Sequence, residues 1–188
     1  MAPRLARTNV EAHLYMDLTP CDACGETTFR PASSFVDIDG ELIGRYTAAC
    51  PRCGSPREFV FRMPDEIIRP DEDEPTFGDD RPSELIDAGE WLWVADLLGD
   101  NAPAEPTAGM TAAQRRQAFL DLRMAAAAVG EAAKFLPAGA DTVPQDALWS
   151  RRGRSVYAAQ PGRFHRARLE AVQRVYRELA DRFADRAS

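Results

Sequence analysis

All four cysteines of this chain fall in two similar stretches, CDACG at residues 21–25 and CPRCG at residues 50–54. No other feature constrains the fold so strongly. Two residues between thiols let both sulfurs of a pair converge on one point from a tight turn, and a hairpin can bring the second turn over the first. Cys21, Cys24, Cys50 and Cys53 therefore read as a metal clamp. Gly25 and Gly54 follow the second cysteine of each pair. Glycine there admits positive φ and leaves backbone amides free to point at sulfur. Four thiolates close a tetrahedron around zinc and leave no open position for water or substrate, so the expected zinc is structural.

The flanking pattern predicts β structure. Val10, Ala12, Leu14, Met16 and Leu18 alternate with polar neighbours, a period of two that predicts a half-buried strand over 10–18. SFVDI and ELIGRYTAA flank Asp39-Gly40, a favoured two-residue hairpin turn, and REFVFRM at 57–63 predicts a further short strand. A β unit of about 50 residues buries too little to be stable alone, and zinc supplies on the order of 10 kcal/mol of folding free energy. The two CxxCG knuckles with their strands resemble the zinc ribbon group over residues 10–63. That resemblance implies a zinc-stiffened β lobe; ribbons serve in transcription factors, ribosomal proteins, enzymes and scaffolds, so it implies no single function. A redox CxxC opens a helix in a βαβ setting, whereas both pairs are expected between strands. A rubredoxin-like iron site uses similar spacing and remains an alternative.

The formal net charge of −7 is unevenly spread. Residues 1–63 carry 7 Arg against 8 acids, residues 64–82 carry 2 Arg against 8 acids, and residues 83–188 carry 14 basic residues against 14 acids. The middle stretch, PDEIIRPDEDEPTFGDDRP, holds four prolines and reads as an extended linker that Ile67, Ile68 and Phe77 can pin to a neighbouring surface. The organisation expected is α+β: a zinc-ribbon domain over 1–63, an acidic linker over 64–82 and an α-helical domain over 83–188.

In the helical part, Trp91, Val94, Ala95 and Leu98 form a stripe on a helix ending at Gly99. Thr111-x-x-Gln114 fits a capping box opening a helix whose apolar face is Phe119, Leu122, Ala126, Val129 and Ala133. Leu169, Val172, Tyr176, Leu179 and Phe183 line a last helix that begins near Pro161-Gly162. Trp91 and Trp93 cannot both face one stripe, so one of them is a candidate contact residue.

Nothing catalytic is legible: no phosphate loop, HExxH or GxSxG, and no Cys–His dyad once the cysteines bind metal. His13 and His165 read as surface residues, His13 with an added candidacy as a fifth ligand or partner contact. No apolar run approaches the length of a membrane span. The start, with Arg4 and Arg7 and no apolar core, does not fit a secretory signal, so a cytoplasmic location is expected. Lys134 is the only lysine, and plentiful alanine and arginine fit a high-GC bacterial source.

Two function classes follow. The first is a non-catalytic protein that binds another protein through the acidic stretch and the Trp helix: Asp71, Glu72, Asp73, Glu74, Asp79, Asp80, Trp91 and Trp93. In general character such a small acidic protein resembles the immunity proteins of bacterial polymorphic toxins, which implies a basic toxin domain as partner. The second is a nucleic-acid-binding regulator that uses Arg151, Arg152, Arg154, Arg163, Arg166 and Arg168, interleaved with Trp149, Tyr157 and Phe164. Arginines at a helix start sit at the wrong end of its dipole, so compensating acids are expected there.

Overall fold

Residues 2–64 and 74–184 are described in a computed structural model of the chain. The candidate contact residues Asp71, Glu72 and Asp73, and the expected anchors Ile67 and Ile68, lie outside them. The fold is α+β and divides into two units. Unit 1 takes residues 1–69 with Phe77–Asp79 and Ser83–Leu85; unit 2 takes Pro70–Thr76, Asp80–Pro82 and Ile86–Ser188. The acidic stretch is thus shared between the units. Phe77 is buried in unit 1, and its carbonyl accepts a hydrogen bond from Thr8 Oγ1 at 2.7 Å.

Unit 1 opens with a helix, α1 (Asn9–Leu18), where alternation predicted a strand. Thr8 caps it by accepting from the Glu11 amide at 3.1 Å. Glu11 is fully buried and pairs with Arg7, also buried, at 2.6 Å, and it accepts the Arg7 amide at 2.7 Å. Thr8-x-x-Glu11 is the cap signature that outweighs the alternation. Of the five apolar residues counted for the strand, only Ala12 and Met16 are buried, four apart on one helix face.

Three antiparallel strands follow in the order β1 (Ala32–Ile38), β2 (Glu41–Ala49), β3 (Pro56–Arg62). The β1–β2 hairpin closes at Asp39-Gly40 as expected, with φ of 55° and 83°, the positive pair that a two-residue turn between twisted strands requires. In register, Phe35 opposes Gly44 and Gly44 opposes Phe61, while Tyr46 opposes Phe59, so these rings share one face. Helix α1 lies on that face. Tyr15 meets Phe59 and Phe61 edge-on, His13 meets Tyr46 likewise, and the Tyr46 hydroxyl donates to Asn9 Oδ1 at 2.8 Å.

Unit 2 is helical: α2 (Ala88–Asp100), α3 (Ala112–Ala133), α4 (Arg151–Ala159) and α5 (Arg166–Asp181), with single 3-10 turns at Gln145–Ala147 and Pro161–Phe164. The Thr111/Gln114 capping box is formed in full. Helix α3 buries five alanines with Phe119, Leu122 and Val129, and packs on both α2 and α5. A face of small side chains lets helix axes approach closely. Asp87 joins two helix starts: its Oδ1 accepts the Glu90 amide of α2 at 2.8 Å and its Oδ2 accepts the Ser150 amide before α4 at 2.6 Å. Among the described residues no helix is long and apolar enough to cross a membrane.

Candidate metal centre

The first cysteine pair lies between α1 and β1, and the second between β2 and β3. The two turns repeat one construction. The Gly25 amide donates to the Cys21 carbonyl at 2.8 Å and the Gly54 amide to the Cys50 carbonyl at 2.9 Å. Each first cysteine then sends its own amide on to the residue five ahead, Cys21 to Glu26 and Cys50 to Ser55, both at 2.8 Å. Gly25 and Gly54 hold φ of 76° and 74°, the left-handed conformation for which glycine was read in the sequence.

This repetition aims four sulfurs at one point. The ligating atoms of Cys21, Cys24, Cys50 and Cys53 all lie within 4.8 Å of one another. Cys21 Sγ is 3.7 Å from Cys53 Sγ, and Cys24 Sγ is 3.6 Å from Cys50 Sγ. A disulfide needs about 2.05 Å; a tetrahedral ion bound at about 2.3 Å needs sulfurs about 3.8 Å apart. The spacing therefore fits four ligands around one metal. Both close pairs run across from one knuckle to the other, so an ion at the centre ties α1 and the hairpin to β3. Among the described residues these cysteines are the one group of His, Cys, Asp and Glu side chains placed to share an ion. His13 is exposed and stands apart from it.

The surroundings are graded. Cys21 and Cys50 are buried, Cys24 is partly covered and Cys53 is exposed. Cys53 Sγ lies 3.3 Å from the Ser55 hydroxyl oxygen. That hydroxyl, then the Ser55 amide and Cys24, hold the Cys53 thiol down to about 6. The Glu26 amide acts to lower Cys24, but burial and its three cysteine neighbours override it and push the thiol up to about 12. A bound cation favours all four thiolates.

Arg57, which the sequence reading passed over, braces the centre. It is only 8% exposed. Its guanidinium donates to the Thr19 carbonyl at 2.5 Å and the Thr28 carbonyl at 3.2 Å, with Met16 O at 3.5 Å. It also lies over the rings of Phe29 at 4.4 Å and Phe59 at 5.6 Å. One side chain thus holds the C-terminal end of α1, just ahead of the first knuckle, to the strand that follows the second. The only sequence signal is a lone cation in an aromatic strand, PREFVF.

The remaining candidates separate. Trp91 is 0% exposed, so it is a core residue and offers no partner contact. Trp93 is partly exposed, with the Arg152 guanidinium 4.5 Å over its ring. Glu74 and Asp80 are exposed, Asp79 partly so, and Glu74 reaches Arg123 at 3.5 Å. Of the arginines, Arg163 forms a two-bond pair with Asp96 at 2.6 and 2.7 Å. Arg152 reaches Glu90 at 3.2 Å, Arg166 donates to the Ala140 carbonyl at 2.7 Å, and Arg154 donates to the Trp149 carbonyl. Arg151 and Arg168 are exposed. The compensation expected at these helix starts is present for Arg152 and Arg163. Comparison of the chain with family models, curated proteins and solved structures gives no match.

Proposed function

We propose that the four cysteines hold one structural zinc ion and that the chain is a non-catalytic protein which docks on another, basic protein. The observation that carries the metal reading is the all-sulfur tetrahedron with its 3.6 and 3.7 Å edges. Soft thiolates in tetrahedral array suit zinc, and a closed set of four offers no vacant position for chemistry. When bound, the ion supplies folding free energy to a lobe too small to hold itself. The zinc ribbon is the architecture this reading assigns to the cysteine turns and sheet.

The partner reading rests on charge. Eight acids against two arginines lie within nineteen residues, 64–82. Such a segment speeds encounter with a basic surface and weakens with salt. An immunity-type role, the neutralising of a cognate basic toxin, is the form of this reading we favour. Internal pairing of Arg152 and Arg163 supports it over the nucleic-acid alternative, because those guanidinium groups already have carboxylate partners.

The test is affinity purification from the source cell at low and high salt, followed by co-expression of the captured protein with this chain. A basic protein held at low salt, toxic alone and harmless when co-expressed, is the expected result. Absence of any protein partner together with a mobility shift of DNA or RNA would overturn it in favour of the regulator.

A further inference from the structure

All seven residues of β1 are exposed. It is the outer strand of the sheet, and among the described residues no strand pairs with its far side. The two-residue turn fixes which backbone groups point there. In such a hairpin the residues flanking the turn, Ile38 and Glu41, form a hydrogen-bonded pair, and the pattern alternates along the strands. Asp37, Phe35 and Ser33 then sit in the non-bonded pairs, opposite Leu42, Gly44 and Tyr46. The Met63 amide donates to the Leu42 carbonyl at 2.7 Å on the opposite side of β2, as this alternation requires. Ser33, Phe35 and Asp37 therefore direct their N–H and C=O groups away from the sheet, towards solvent.

Natural sheets guard such an edge with lysine, proline, a bulge or a cover. Between Ala32 and Ile38 there is no basic residue and no proline, and the register with β2 runs without a bulge. Apolar side chains lie along the strand instead: Phe35 is 50%, Val36 49% and Ile38 53% exposed. The turn end is acidic: Asp37 and Asp39 lie there with no base between residues 31 and 44, beside Glu41, which reaches Arg62 of β3 at 3.4 Å.

We infer that the outer edge of β1 receives an extended, basic segment of a partner protein, which adds to the sheet as a fourth strand. The backbone groups of Ser33, Phe35 and Asp37 supply the ladder. Val36 and Ile38 on one face and Phe35 on the other take alternate aliphatic side chains, and the carboxylates at the turn take the cations. Charge complementarity selects this occupant over a second copy of the chain, which brings the same carboxylates and a like net charge of −7. The inference deepens the proposed docking on a basic protein and rests on it.

The test uses the full zinc-loaded chain and fluorescein-labelled heptapeptides of alternating valine and either arginine or glutamate. The arginine peptide is expected to bind at least tenfold more tightly than the glutamate one, with amide shifts confined to β1 and its neighbours. Ser33→Pro removes one outward N–H and no β1–β2 bond, and Asp37→Lys reverses the charge at the edge at the cost of one exposed turn bond, from the Gly40 amide to Asp37 Oδ1 at 3.1 Å. Each is expected to weaken the arginine peptide at least tenfold while zinc content and circular dichroism stay unchanged. Equal affinity for both peptides, or shifts away from β1, would overturn the inference. So would a sedimentation mass that doubles in the wild type and not in Ser33→Pro, because a second copy would then hold the edge. If the captured partner binds Ser33→Pro as well as the wild type, the edge is refuted and protein docking stands. If no partner is captured at all, the docking reading fails on its own test.

Discussion

Replacing Arg57 by methionine should weaken metal binding although Arg57 touches no sulfur. The wild-type guanidinium makes two well-formed hydrogen bonds, to Thr19 O and Thr28 O, and covers the faces of Phe29 and Phe59. Hydrogen bonds from a charged donor contribute about 1.5–3 kcal/mol each, and a cation on a ring about 1 kcal/mol. Part of this is offset by the cost of taking the charge out of water. Methionine keeps an apolar stem against the rings but leaves the carbonyls without their donor. The net loss is about 3 kcal/mol. Where a small lobe folds only around its metal, binding and folding free energies are one quantity, so about 3 kcal/mol becomes a roughly 150-fold weaker apparent zinc affinity. Competition against a chromophoric chelator measures it directly. Arg57→Lys retains the charge without the planar fork and should fall between the two. An Arg57→Met affinity within threefold of wild type, with an unchanged thermal transition of unit 1, would refute the bracing role.

Asp87→Ala removes a carboxylate that caps α2 and accepts the Ser150 amide, and it should cost unit 2 about 3 kcal/mol in thermal or urea unfolding; a loss under about 1 kcal/mol would contradict the cross-cap. Gly89 and Gly130 should respond unequally to alanine. A methyl at Gly89 overlaps the Gly153 backbone oxygen, which cannot yield, so about 2 kcal/mol or more is lost; at Gly130 it meets the side-chain amide of Gln173 at 2.6 Å, which can swing aside, and the helix gain leaves stability within about 1 kcal/mol. Burial, then the neighbouring Asp87 carboxylate, raise the Glu90 carboxyl above its usual 4.5. The folded state therefore holds this proton more tightly than the unfolded one, so its contribution to stability is present below about pH 4.5 and is lost as pH rises through the higher folded value. Glu90→Gln should gain on wild type across that window; a difference that stays flat with pH would contradict the burial argument.

What was legible in the sequence was local. The knuckle glycines, the Asp39-Gly40 turn and the Thr111/Gln114 box each carry their geometry within five residues. For α1, Val10, Ala12, Leu14, Met16 and Leu18 alternate as a strand would, but a short amphipathic helix with buried residues at 12 and 16 produces the same string. The Thr8/Glu11 cap was the signal to weigh against it. The arginines of 151–168 looked like a patch because their partners are distant in sequence: Asp96 lies 67 residues from Arg163 and Glu90 lies 62 from Arg152. Arg57 escaped notice for the same reason, as its acceptors are backbone carbonyls of segments 29 to 41 residues away. Trp91 and Trp93 were rightly separated onto different faces, and burial of Trp91 removes it from the candidate contacts.

In the proposed protein two knuckles close on one zinc ion and unit 1 folds around it. X-ray absorption at the zinc edge on protein purified without added metal, with zinc quantified per chain, tests it most directly. The expected result is one zinc per chain with four sulfur neighbours at about 2.3 Å. Well under one metal per chain, or a first shell containing nitrogen or oxygen, would contradict it.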